Sequence, residues 1–148
     1  MTQLTNGTWI VVADSEKALL MRNVTDHQDP NFEIIAREDG DETGSGSDRP
    51  GRRSDSGPSQ SSAMEETDWH ALARDRFAKD LSDLLYGFAN KGRFDRLVIV
   101  ASPQVLGALR GDLHKVVADR VVAEIPKTLT NHPVRELEKL IKADLDAA

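Results

Sequence analysis

Apolar residues fall into two patterns along the chain, and the change between them divides it. In the first part they come in short dense runs. "TWIVVAD" (8–14) is continuous and β-branched, which predicts a strand buried on both faces. "KALLMRNV" (17–24) and "NFEIIARE" (31–38) follow, separated by the turn-rich "TDHQDPN". Only Ser15 and Glu16 lie between the first two runs, so a hairpin is the natural connection and the opening reads as an antiparallel meander. In the second part the period lengthens. Trp69, Ala73, Phe77, Leu81, Leu84 and Phe88 recur at steps of four or three, predicting one long helix from about residue 63 to residue 90 with this stripe against the core. Ser62 and Glu65 fit a capping box at its start, and Gly92 is a stop signal at its end.

The remaining elements are short and well punctuated. "RLVIVA" (96–101) is a second strand of the fully buried kind. "SPQVLGALR" opens a helix with Ser102 as N-cap and Pro103 at the first helical position. "GDLHKVVADR" continues helical, "VVAEI" is a last strand, and "HPVRELEKLIKADL" is a terminal amphipathic helix. No internal repeat is present. Two apolar strands joined through helices call for parallel pairing by crossover. The expected fold is therefore α/β: a mixed sheet of about five strands, antiparallel meander first and parallel strands after, with helices on its faces. At 148 residues the chain reads as one domain, 1–148.

Composition alters this picture in one place. Between residues 38 and 68, Gly, Ser and Pro supply 14 of 31 positions, and nine acids face three arginines. That segment carries a net charge of −6, equal to the total for the chain, so the rest is nearly neutral. With so few apolar side chains it cannot offset the entropy of ordering, and a long mobile loop at about 38–62 is expected. An acidic chain is a poor match for broad, non-specific nucleic-acid binding, although a local basic patch is compatible with it. There is no cysteine, hence no disulfide frame, thiolate nucleophile or cysteine metal site. The N-terminus lacks export-signal features, and no apolar run reaches membrane-spanning length, so a cytoplasmic location is expected.

Candidate chemistry concentrates at two places. In "SDRPGRRSDSG" (47–57), Arg49, Gly51, Arg52 and Arg53 stand in a Gly/Ser/Asp setting. The glycine spacing of a phosphate-binding loop and its strand-to-helix lysine are absent. The arginines either grip phosphate or carboxylate in forked fashion, or balance Asp48 and Asp55. The second place is the expected C-terminal end of the buried strands, where α/β sheets usually hold ligands. Asp14, Ser102, Gly107 and Arg110 are the candidates there. Asp14 reads as a hairpin turn residue, Ser102 as a cap beside free helix amides, and Gly107 as room for a close backbone approach. Arg110 reads as a surface anchor or the ion-pair partner of Asp112. A two-metal nuclease needs several converging carboxylates, and "RLVIVAS" places none inside its strand. His27, His70, His114 and His132 lack ligand spacing. No metal, cofactor or catalytic residue is assigned.

"TWIVVADSEKALLM", "DRPGRRSDS", "RFAKDLSDLL", "GRFDRLVIVASPQVLGALR" and "VVAEIPKTLT" together resemble the bacterial host-attachment protein family, described as required for attachment to host cells. The resemblance spans nearly the whole chain, and the run 94–110 is its most specific part. That family is in turn similar to the middle domain of archaeal and eukaryotic release factors and of Pelota, which implies a ribonuclease-H-like fold. In those relatives the loop between the third strand and the long helix carries a Gly-Gly-Gln tip that enters the ribosomal catalytic centre. Here the same place holds "SDRPGRRSDSGPSQSS", without Gly-Gly-Gln, so the resemblance transfers a place and not a chemistry. The family's recurring Pro-Gly-Arg at Pro50, Gly51 and Arg52 favours a binding role for the loop. Two departures stand out, Thr128 where the family often has Asp and Ser102 where it often has a second Pro. The resemblance implies a non-catalytic cytoplasmic binding module that contacts a ribosome or another RNA–protein partner through this loop. The alternative is an adaptor or regulator, with a protein partner, that is indirectly required for host attachment.

Overall fold

The two continuous apolar runs become adjacent central strands. The computed structural model describes residues 2–40 and 63–148, and of residues 63–68 the backbone alone. In chain order the elements are β1 (Trp9–Ala13), β2 (Lys17–Asn23), β3 (Phe32–Asp39), α1 (Ala63–Asn90), β4 (Leu97–Val100), α2 (Pro103–Asp112), α3 (Lys115–Ala118), β5 (Val121–Ile125) and α4 (Val134–Ala147). The strands form one sheet in the order β3-β2-β1-β4-β5. β1 pairs antiparallel with β2 and β2 with β3, whereas β4 runs parallel to both β1 and β5. This is the α/β mixed sheet expected, with the meander on one side and the parallel strands on the other.

Alternation along β1 and β4 divides the core into two layers. Trp9, Val11, Leu97 and Ile99 face one way and meet Phe77, Leu81 and Leu85 of α1, with Val105, Leu106 and Leu109 of α2 and Val117 of α3. Ile10, Val12, Val98 and Val100 face the other way and meet Leu137, Ile141 and Leu145 of α4. Every residue of β1 and β4 is consequently buried, which is why neither run contains a polar residue.

Local signals account for the element ends. Ser102 caps α2 by accepting from the Val105 amide at 3.3 Å, and Pro103 follows it. Gly92 takes a φ of 70°, the Gly92 amide bonds Ala89 O and the Arg93 amide bonds Phe88 O, which closes α1 in a Schellman arrangement. Arg120 donates to the Ala89 and Phe94 carbonyls and satisfies that end further. At the outer strand β3, Leu20 lies opposite Ala36 and Met21 opposite Ile34, leaving Ile35 as a bulge. The Phe32 amide on that edge is capped by the Glu138 carboxylate at 2.7 Å.

The helical stripe is correct at its centre and shifted at its ends. Phe77 and Leu81 are buried as expected, but they are joined by Ala78, Leu85 and Ala89, whereas Ala73, Leu84 and Phe88 are half-buried. Trp69, expected in the core, is 46% exposed. The reason is length. A helix of 28 residues is about 42 Å long, whereas a strand of five residues spans about 17 Å. The first turns of α1 therefore overhang the sheet. β3 continues to Asp39, so the start of the segment expected to be a loop from residue 38 is strand; the rest of that expectation, from residue 41, and the capping box at Ser62 lie outside the described residues. Among the described residues no helix is long and apolar enough to cross a membrane.

Candidate functional site

Strand directions bring several turns to one end of the sheet. β1, β4 and β5 finish there, β2 starts there, and β3 finishes beside it, with Lys17 opposite Asp39. Gly40, where β3 gives way to residues 41–62, donates its amide to Glu16 O of the β1–β2 turn. α1 resumes the chain at Ala63 and packs Trp69 and His70 beside the same turn. Both roots of the 41–62 segment therefore lie at this end. Arg49, Gly51, Arg52 and Arg53 themselves lie outside the described residues.

The four candidates of the strand end differ in what engages them. Asp14 is a turn residue: its Oδ1 accepts the amides of Glu16 (2.7 Å) and Lys17 (2.8 Å), and its Oδ2 accepts the Thr130 hydroxyl at 2.7 Å. Lys17 also reaches Asn131 at 3.4 Å, so the β1–β2 turn and the chain after β5 are laced together. Ser102 is occupied by its capping bond. Gly107 has open space around it: among the described residues a Cβ placed there would meet nothing within 4 Å. Arg110 lies in the last turn of α2, eight residues beyond the cap and about 12 Å along the axis, and its ion pair is with Glu124, next to the C-terminal residue of β5, in place of Asp112. That hydrogen bond, with the Glu124 charge behind it, raises the Arg110 pKa. The structure thus brings Asp14 and Ser102 to the sheet end and assigns both to the fold.

Three of the histidines are engaged separately, each beside a carboxylate. His27 accepts the Leu4 amide on Nδ1 at 2.9 Å, so its Nε2 carries the hydrogen donated to Asp146. That contact, followed by Lys142, holds the Asp146 carboxyl below the usual carboxylate range. His114 stacks on Tyr86 with centroids 4.0 Å apart, and His132 pairs with Glu136. Among the described residues no group of His, Cys, Asp or Glu is arranged to hold a metal ion.

Sequence reasoning missed a cleft. Ser15 and Glu16 of the β1–β2 turn face Trp69, His70, Ala73 and Arg74 of the overhanging helix across a cavity of about 110 Å³. The Arg76 guanidinium sits 5.9 Å from the centre of the Trp69 ring. Leu72, one turn along, is 58% exposed. Behind the cleft, Glu38 lies opposite Ala18 on the α1 side of β3. Burial pushes its carboxyl pKa up, and the charges of Asp80 and Asp39 push it further. The signal that would have exposed the cleft was the mismatch of helix and strand lengths, which no residue pattern within the helix carries.

A mixed sheet with helices on both faces, with Gly40 and the start of α1 both at one end of it, defines a small α/β module. The family model described as "Bacterial archaeo-eukaryotic release factor family 12" matches residues 7–141, and the chain belongs to that family. Among solved structures it is similar to an archaeal translation termination factor, aRF1, with 10% identity and a TM-score of 0.48 over 95% of this chain. This chain spans 39% of that factor's length. No curated protein matches.

Proposed function

We propose that this chain is a non-catalytic, cytoplasmic, release-factor-like module that contacts the ribosome or a related RNA–protein partner through the arginine-bearing segment 41–62. The observation that carries the reading is the rooting of both ends of that segment at one end of the sheet, in a chain that belongs to a release-factor family over residues 7–141. Asp14 and Ser102, the groups nearest to a strand-end active site, are engaged by the fold, which supports binding in place of catalysis. Arg49, Arg52 and Arg53 can each supply a forked contact to phosphate once a partner excludes water. The surrounding acids repel bulk RNA and favour a shaped ribonucleoprotein surface.

Ribosome co-sedimentation at low and moderate salt tests this, with the native chain beside a variant carrying Arg→Ala at positions 49, 52 and 53. The native chain is expected to sediment in a salt-sensitive manner, and the variant to keep its melting temperature and lose the association. An unchanged association with a lowered melting temperature would leave the arginines as local counter-charges. A second reading, an adaptor indirectly required for attachment to host cells, is favoured by one observation, the exposed apolar pair Trp69 and Leu72 on α1. Association through that surface would be insensitive to salt.

A further inference from the structure

We propose that the cleft between the β1–β2 turn and the overhanging turns of α1 holds one unpaired nucleobase of a single-stranded RNA, stacked on Trp69. The inference rests on the ribonucleoprotein reading above and names a contact that reading lacks. Trp69 offers a ring that the core does not use, with a guanidinium near its face, and an aromatic platform beside a cation is the combination that binds unpaired bases irrespective of sequence. His70 and Ala73 continue the wall along the helix.

The polar groups around the cleft are the second line of support. In the β1–β2 turn, Asp14 has its carboxylate taken up by two amides and a hydroxyl. Its neighbours Ser15 and Glu16 line the cleft, and neither side chain has a hydrogen-bond partner among the described residues. The same holds for His70. A carboxylate and a hydroxyl opposite an aromatic wall suit the edge of a base, whose ring or exocyclic N–H groups donate to Glu16 while Ser15 donates or accepts. Among the described residues Arg74 uses its Nε alone, on Asp75 at 3.3 Å, and its terminal nitrogens suit the phosphate of the stacked nucleotide. A cavity of about 110 Å³ is on the scale of one ring system, and a base stacked and paired within a duplex is not free to enter it. Glu16, Glu38, Asp39 and Asp80 at this end keep the contact local, so it involves about one phosphate.

The chain contains two tryptophans, and Trp9 is only 1% exposed, so an RNA-induced change in tryptophan emission reports Trp69. Titration with short single-stranded oligoadenylate is expected to quench that emission saturably, with a log–log salt slope near about −0.7 for one phosphate. The same strand annealed to oligouridylate should not quench. Trp69→Leu should weaken binding, read by anisotropy of labelled oligoadenylate, between about fivefold and about a hundredfold, while Trp69→Phe restores most of it. Glu16→Gln should weaken it less. Because Trp69 lies off the core, both tryptophan variants should melt with the native chain. Absence of saturable quenching, equal quenching by duplex, or native affinity in Trp69→Leu would overturn the proposal. Co-sedimentation separates it from the broader reading. A native chain that pellets with ribosomes and ignores oligoadenylate refutes the cleft alone. One that binds oligoadenylate through Trp69 and never pellets supports the cleft and refutes the ribosome reading.

Discussion

Thr130 donates a 2.7 Å hydrogen bond to Asp14 across 116 residues of chain, tying the β1–β2 turn to the segment that follows β5. This carboxylate at the end of β1 holds two connections together. Asp14→Ala should therefore cost about 1–3 kcal/mol, since it strands two turn amides as well as the hydroxyl. Thr130→Val should cost less, and the double variant should be less destabilised than the sum of the two. Denaturant melts check the cycle. Additive losses would mean the two side chains do not interact, and loss of ribosome association without loss of stability would return Asp14 to a functional role.

Phe77 and Trp69 lie on the same predicted stripe and differ in what opposes them. Phe77 is 3% exposed beneath the sheet, and Phe77→Ala should cost about 3–5 kcal/mol. Trp69→Ala should stay within about 0.5 kcal/mol of the native chain, because the ring overhangs the strands. Urea titration of the two variants side by side measures the difference. Equal losses would show that the start of α1 is packed as firmly as its middle.

Glu38 gives a pH signature of defined sign. Its folded-state pKa lies above the ordinary carboxyl value, through burial first and then the charges of Asp80 and Asp39. The ionised form is thus disfavoured in the folded state, in full above the raised pKa and not at all below the ordinary one. Glu38→Gln should melt higher than the native chain at neutral pH, and that advantage should shrink as the pH falls through this window. Asp80→Asn should also raise the melting temperature at neutral pH. A Glu38→Gln variant that melts lower at neutral pH would show that the carboxylate has a stabilising partner.

Residues 44–60 contain no aliphatic or aromatic side chain, so removing them forfeits almost no apolar burial. Closure entropy changes slowly with loop length, by about 1 kcal/mol or less here. Replacing them with a short Gly/Ser linker should leave the melting temperature nearly unchanged while abolishing ribosome association. Calorimetry decides the first half, and a fall of more than about 10 °C would mean that the segment is packed against the domain.

What the sequence determined by itself is what a few neighbouring residues decide. Ser102–Pro103 start a helix, Gly92 stops one, and the uninterrupted apolar runs of β1 and β4 require burial on both faces, so the order of elements and the mixed sheet were legible. Asp14 and Ser102 were legible too, as a turn and a cap, because the amides they accept lie within three residues, whereas the Thr130 bond to Asp14 was not legible. Other features depend on how separate elements align. Arg110 meets Glu124 and not Asp112 because α2 lies beside β5, and the bulge at Ile35 appears only where β3 is registered against β2. Trp69 leaves the core because the helix outruns the strands beneath it. Periodicity states which residues share a face; only tertiary structure fixes how far the opposing surface extends, and in this chain the cleft opens where that surface ends.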